Sequence, residues 1–288
     1  MGVDITVEAS RPARRAAVLG SPVKHSLSPV LHGAAYRALD LHGWKYEMIE
    51  CDEPGLPPLI DEMGPEWAGL SLTMPLKRVA LAVADEVSPL AQAVGAANTL
   101  VFPSAGPGGG RRADNTDVAG LVAALREAGL ARVEQAVILG AGGTAQAALA
   151  AVRELGHASP IVIARNLART GELRETAERL AMRPSFRGNL FEEPLPDADL
   201  VISTLPGGAA DPLGATRWKP DTMVLDVVYA PWPTPLAASA LAAGCRVVSG
   251  LTVLLHQAVA QVELMTGYPG PVEAMRSALV AAAAARQG

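Results

Sequence analysis

The chain has little cysteine, little histidine, few aromatic rings and little charge. Two cysteines, Cys51 and Cys245, stand among 288 residues. A single pair of thiols builds neither a disulfide framework nor a zinc site, and a reducing, cytoplasmic setting is the expectation. The five histidines, at 25, 32, 42, 157 and 256, fall at no metal-ligating spacing. No apolar run is long enough to span a bilayer, and the start lacks a signal peptide with an apolar middle. Met1-Gly2-Val3-Asp4-Ile5-Thr6 does match a loose myristoylation pattern, but reads better as a short polar tail before the first strand. Charged residues make up only 18% and the net charge is −5. That balance argues against a nucleic-acid or anionic-membrane partner. A small anion needs only a local positive site and stays open.

Hydrophobic residues are plentiful, at 50%, and there are 28 glycines and 23 prolines. The length suits two ordinary domains. Short apolar runs at Ala16–Gly20, Tyr46–Cys51, Trp67–Leu72 and Thr99–Phe102 alternate with helical segments at Pro29–Leu39, Leu56–Met63 and Pro89–Val94. Strands separated by helices predict an α/β fold with parallel pairing. The stretch Pro103 to Gly110 is glycine-rich but lacks the lysine and hydroxyl of a phosphate loop, so a hairpin turn is expected there.

The most informative stretch is Ser71-Leu72-Thr73-Met74-Pro75-Leu76-Lys77. A strand runs into a proline that suits the first turn of a helix. Thr73 and Lys77 are thereby placed at the carboxyl end of a strand, where open α/β sheets bind ligands. A lone lysine is ordinarily a solvated surface group; its neighbours in sequence decide otherwise here. Asn115-Thr116-Asp117 opens a helix expected over Val118–Ala128 and ended by Gly129, with Thr116 as a cap and Asp117 in the first turn. Ser26 and Ser28 precede Pro29; they serve either to cap a helix or to hold an anionic oxygen. Gln257, on a helix expected over Thr252–Met265, reads equally as solvated or functional.

A second βαβ pattern begins at Ala136-Val137-Ile138-Leu139 and enters Gly140-Ala141-Gly142-Gly143-Thr144-Ala145. A strand, a G-x-G-x-x-A turn and a helix together make a dinucleotide fingerprint. Gly140 allows the tight turn, Gly142 lets backbone approach a pyrophosphate, and Ala145 lets helix pack on strand. Gly143 and Thr144 start the helix whose free N–H groups would face the phosphates. After the next strand, Ile161–Ala164, the acidic residue of an NAD site is missing; Arg165 and Arg169 stand there instead. Two guanidinium groups suit a 2′-phosphate, so NADP is the expected cofactor. Strands at Leu200–Ser203, Met223–Asp226 and Cys245–Val248 would complete a doubly wound sheet.

Taken in order, Gly20-Ser21-Pro22, His25 to Pro29, Ser71 to Lys77, Gly95 to Leu100, Asp114 to Asp117, the turn at 140–145, Asp226 to Tyr229 with Thr234-Pro235-Leu236, and Gly250 to Gln257 resemble the shikimate dehydrogenase family. The resemblance spans about Val18 to Gly267. It implies a substrate-binding α/β domain of residues 1–116 plus 250–288 and a Rossmann-type NADP-binding domain of residues 117–249. It also implies reversible NADPH-dependent reduction of 3-dehydroshikimate to shikimate, by a monomer or homodimer. By the same resemblance Lys77 and Asp117 are the catalytic pair. Ser26, Ser28 and Thr73 hold the substrate carboxylate, and Asn98, Asp117 and Gln257 meet the ring hydroxyls. Tyr229 and Gly250 lie near the nicotinamide end, and Arg165 and Arg169 meet the 2′-phosphate. Three places depart from the common pattern. Ser71 replaces an asparagine, Val253 a methionine, and Ser203-Thr204-Leu205 an Asn-Ala-Thr. Ser71 keeps quinate/shikimate and aminoshikimate dehydrogenases as alternatives. A non-catalytic NADP-binding module would be expected to lack Lys77 or Asp117, and both are present.

Overall fold

The computed structural model describes residues 13–102, 110–188, 191 and 193–286. The pattern at Met1–Thr6 and the expected turn at 103–109 lie outside them. The first half contains β1 (Arg15–Gly20), α1 (Ser28–Ala38), β2 (Lys45–Glu50), α2 (Leu56–Asp61), β3 (Trp67–Leu72), α3 (Val79–Ala82), β4 (Glu86–Val87), α4 (Pro89–Val94), β5 (Thr99–Val101) and β6 (Arg112–Asp114). These strands form one sheet of order β2-β1-β3-β5-β6-β4. As expected, β1 lies parallel to both β2 and β3. β5 departs from that expectation and runs antiparallel to β3 and to β6. Its reversal follows α4, which Ser88 caps by accepting from Ala91 N–H and which ends on left-handed Gly95 at φ 82°. The short strands β4 and β6 carry too few apolar residues to be read from periodicity.

The segment after β3 also differs from its expectation. Thr73 N–H bonds to Leu19 O (2.9 Å) and Ser21 N–H to Met74 O (2.9 Å), so the chain stays tied to β1 through residue 74. Pro75 therefore cannot open a helix. Residues 74–78 form turns, and α3 starts at Val79. Lys77 sits in this turn region at the end of a fully buried strand.

α5 (Thr116–Glu127) leads to β7 (Ala136–Leu139), α6 (Gly143–Glu154), β8 (Ile161–Ile163), α7 (Gly171–Arg179), β9 (Ser185–Arg187), β10 (Leu200–Ser203), β11 (Met223–Asp226), α8 (Pro235–Ala242) and β12 (Arg246–Ser249). All six strands are parallel, in the order β12-β11-β10-β7-β8-β9. That is the doubly wound order, and its switch point falls between β7 and β10. The turn at Gly140 emerges there. β9 is one strand more than the sequence pattern suggested.

Two last helices, α9 (Gly250–Thr266) and α10 (Val272–Ala285), turn back to the first sheet. α9 begins two residues earlier than expected and ends on left-handed Gly267. Leu255, Val259, Val262, Met275 and Leu279 join Leu31, Ala35 and Tyr36 of α1 in one buried cluster. Burial of one such aliphatic side chain contributes about 1.5–3 kcal/mol. α5 packs closely along α9. The contact depends on Gly120, where a Cβ would lie 2.8 Å from Gln257 Cβ and 2.9 Å from Val253 O. Gly120→Ala is expected to cost about 1–3 kcal/mol through overpacking, read as a lower Tm. A melting temperature equal to that of the parent chain would show that the two helices yield.

Candidate active site

Asn115 caps α5, its Oδ1 accepting from Asp117 N–H (3.1 Å) and Val118 N–H (3.4 Å). The expected cap, Thr116, is instead the first residue of the helix. Asn115 takes the role because its Nδ2 also reaches Ala96 O (2.8 Å), which anchors the cap to the segment after α4. Thr116 N–H is left to donate to Asn98 Oδ1 (2.7 Å). A backbone N–H can only donate, so the Asn98 oxygen faces it and the Asn98 nitrogen faces the other way. Asn98 Nδ2 then donates to Asp117 Oδ1 (2.9 Å). The other carboxylate oxygen, Oδ2, accepts from Lys77 Nζ at 2.5 Å. Lysine and aspartate are thus joined directly, with side-chain exposures of 24% and 19%. Gln257 is buried; its Nε2 donates to Leu254 O (3.0 Å) and its Oε1 lies 3.4 Å from Asn98 Nδ2. The solvated alternative for Gln257 is excluded.

Ser28 does not cap α1. It lies inside the first turn, and its N–H donates to Ser26 Oγ (3.2 Å). The backbone oxygens of His25 and Ser26 accept from Arg286 at the end of α10 (2.8 and 3.4 Å). Thr73, half-buried, lies against Gly20, where any Cβ would collide with its methyl group.

A cavity of about 1060 Å³ joins this region to the second sheet. It runs from His25 and Met74 past Tyr229 to Gly142, Gly143 and Thr144. Tyr229 rides on a loop held by Asp226, whose carboxylate accepts from Thr234 Oγ1 (2.8 Å) and Val228 N–H (3.2 Å). Burial pushes the Asp226 carboxyl upward in pKa, and those bonds oppose the shift. Gly250 stands behind this loop, where a Cβ would collide with Val227 O. It therefore supports the cavity wall without lining it.

A second cavity, about 640 Å³, is lined by Gly140, Gly142, Arg165, Asn166, Arg169 and Pro206 among others. Gly140 has φ 107°, and a Cβ there would lie 2.5 Å from Thr204 Oγ1. Gly142 differs: a Cβ on it would meet nothing within 4 Å. Gly142 thus faces open space at the start of α6, while Ala145 is fully buried beneath it. Arg165 and Arg169 are exposed, and their guanidinium groups have no ion-pair or hydrogen-bond partner among the described residues. Asn166 Oδ1 accepts from Ala168 N–H (2.9 Å), which shapes the turn carrying Arg169. Open space at a helix N-terminus beside two unpaired guanidinium groups fits a phosphorylated dinucleotide.

Three residues that the sequence did not single out lie beneath the site. Gln261 is 1% exposed. Tyr46 donates to Ser71 Oγ (2.6 Å), and His32 stacks on Tyr46 with ring centroids 3.9 Å apart. The signal for Gln261 was present: a second glutamine one helical turn after Gln257 on a mostly apolar helix. Nothing marked His32 or Tyr46. Full burial lowers the pKa of His32 to about 3. The unfolded chain therefore takes up a proton near pH 6.5 that the folded chain refuses, and stability falls as the pH drops below that value. The slope from this group is about 1.4 kcal/mol per pH unit down toward pH 3. His32→Gln should lose less melting temperature between pH 7 and pH 5 than the parent does. Equal losses would mean that His32 charges freely in the fold.

Comparison with known proteins places these features in a family. Residues 18–100 match the model for the shikimate dehydrogenase substrate binding domain. Residues 250–280 match the shikimate 5′-dehydrogenase C-terminal domain. The shikimate dehydrogenase (NADP(+)) of Cereibacter sphaeroides is 37% identical over 280 residues, covering 92% of this chain and 96% of that protein. The crystal structure of Mycobacterium tuberculosis shikimate dehydrogenase is similar at TM-score 0.82 and 46% identity, covering 93% of this chain and 99% of that one. That of the Thermus thermophilus enzyme, in complex with NADP(H) and shikimate, is similar at TM-score 0.79 and 33% identity, covering 93% and 99%.

Proposed function

The chain belongs to the shikimate dehydrogenase family, and we infer that it catalyses the reversible NADP-dependent interconversion of 3-dehydroshikimate and shikimate. The observation that carries this reading is the directly bonded Lys77–Asp117 pair, held by Asn98. Ser26, Ser28 and Thr73 hold the substrate carboxylate, and Asn98, Asp117 and Gln257 meet its ring hydroxyls. Tyr229 closes the pocket from the second sheet. Gly140, Gly142, Gly143, Thr144 and Ala145 form the pyrophosphate cradle; Arg165 and Arg169 take the 2′-phosphate. Residues 1–116 with 250–288 act as the substrate unit and residues 117–249 as the cofactor unit, with Gly250 at their joint.

Bound NADPH supplies the hydride. The protein's part is to hold the ketone carbon open to it and to handle the proton. Lys77, as an ammonium, hydrogen-bonds the ketone oxygen and polarises it. As charge builds on that oxygen, Lys77 Nζ releases its proton to it, and the substrate leaves as the alcohol. In the oxidative direction neutral Lys77 removes the hydroxyl proton. Asp117 Oδ2 aims Nζ through their direct hydrogen bond. All of these groups come from one chain, so one subunit carries a complete site. Among the described residues no helix is long and apolar enough to cross a membrane. The two buried free thiols suit the reducing cytoplasm.

The test is a matrix of shikimate and quinate with NADP⁺ and NAD⁺, using purified protein. Turnover should be strongest with shikimate and NADP⁺; turnover confined to quinate would overturn the substrate assignment. Lys77→Ala should lower kcat by about 10²–10⁴-fold, and an unchanged kcat would remove Lys77 from the chemistry. Arg165→Ala should raise KM for NADP⁺ by at least about tenfold while leaving KM for NAD⁺ unaltered. A parallel rise for both cofactors would show that Arg165 does not read the 2′-phosphate.

A further inference from the structure

Gln261 lies at the centre of a hydrogen-bond network whose direction can be worked out. The backbone oxygen of Asn98 can only accept. The Gln261 nitrogen therefore faces it, and Nε2 donates to Asn98 O (3.2 Å) and to Thr99 Oγ1 (3.1 Å). The amide oxygen must face the opposite way, where it meets Ser71 Oγ (2.7 Å) and His32 Nε2 (3.4 Å). Both must donate, so His32 carries a proton on Nε2. All four hydrogen-bonding positions of the amide are then used.

Two consequences follow from that orientation. Ser71 has one hydroxyl proton and has given it to Gln261, so Tyr46 O–H is the donor in its 2.6 Å bond to Ser71 Oγ. Ser71 can offer a ligand only a lone pair. An asparagine there, as in many members of the family, would also offer an N–H₂ donor. On the other side, Thr99 Oγ1 receives from Gln261 and passes its own proton to Asn98 Oδ1 (2.9 Å). That bond adds to the Thr116 N–H in turning the Asn98 nitrogen toward Asp117.

We propose that Gln261 is a positioning residue for substrate recognition: through Thr99 it locks Asn98 as a donor toward Asp117. The proposal rests on the shikimate reading of the site.

The experiment compares Gln261→Met, which keeps the side-chain length and removes every bond, with Thr99→Val, which breaks the link to Asn98 while leaving the Gln261 amide its bonds to Asn98 O, Ser71 and His32. KM for shikimate should rise about tenfold in each, with KM for NADP⁺ within twofold of the parent value. The double variant should be no worse than the weaker single one, because both cut the same chain of bonds. Variants that melt earlier but keep their KM for shikimate would reduce Gln261 to a core residue and overturn the proposal, as would additive effects. A separate reading comes from ¹⁵N resonances of the His32 ring in the parent protein, where protonation on Nε2 is expected. Protonation on Nδ1 would mean that the Gln261 amide faces the other way, and the proposal falls. Failure of the parent protein to oxidise shikimate would remove the substrate assignment instead, and the ring tautomer would then decide the orientation of Gln261 alone.

Discussion

A single backbone N–H, that of Thr116, determines how the catalytic end of this molecule is arranged. It exists as a free donor because it lies in the first turn of α5, where no preceding carbonyl can take it. By bonding Asn98 Oδ1 it sets the sense of that amide, and the amide sets the position of the Asp117 carboxylate. Asp117 in turn restrains the flexible Lys77 side chain. A long lysine loses considerable rotamer entropy when fixed. Here the loss is shared among groups that are rigid for other reasons: a helix start, a capped turn and a strand end.

The second constraint is where charge sits. The chain is acidic overall, yet the rim of the cleft carries unpaired Arg165 and Arg169. Other arginines are committed to structure. Arg78 pairs with Glu172 on α7, and Arg179 of α7 donates to Ala93 O (3.0 Å) of α4, so both tie the first sheet's periphery to the second. Thr176 Oγ1 adds a buried bond to Val94 O (2.9 Å) in the same seam. Exposed ion pairs such as Arg78–Glu172 contribute little, about 0–1 kcal/mol. The buried threonine bond and the α5–α9 contact hold the seam more firmly.

Much of this was legible in the sequence because it followed strong local rules. The glycine turn at 140–145 lay between a strand and a helix, and the chemistry at Lys77, Asp117, Arg165 and Arg169 was visible in their residue types. The errors came where long-range contacts overrode local preference. Pro75 looked like a helix start, but Thr73 and Met74 are bonded back to β1. Thr116 looked like a cap, but Asn115 had a second anchor in Ala96. β5 was expected to be parallel because helices precede it, and α4 turned it round. Gln261 was marked only by its spacing from Gln257, and His32 and Tyr46 not at all, because a buried polar network has no periodicity; its members are brought together from α9, α1 and β2 only by the tertiary fold.

The path of the chain also dictates an order of assembly. β7 through β12 are contiguous, so all six strands of the second sheet exist as soon as residue 249 has been synthesised. The first sheet is different. The apolar face of α1, with Leu31, Ala35 and Tyr36, is covered by residues of α9 and α10, which follow the whole second sheet in sequence. A growing chain therefore carries α1 with one side bare until α9 and α10 have been made. The first sheet is thus covered only after the whole second sheet has been made, and Gln257 and Gln261 arrive with the helix that covers it.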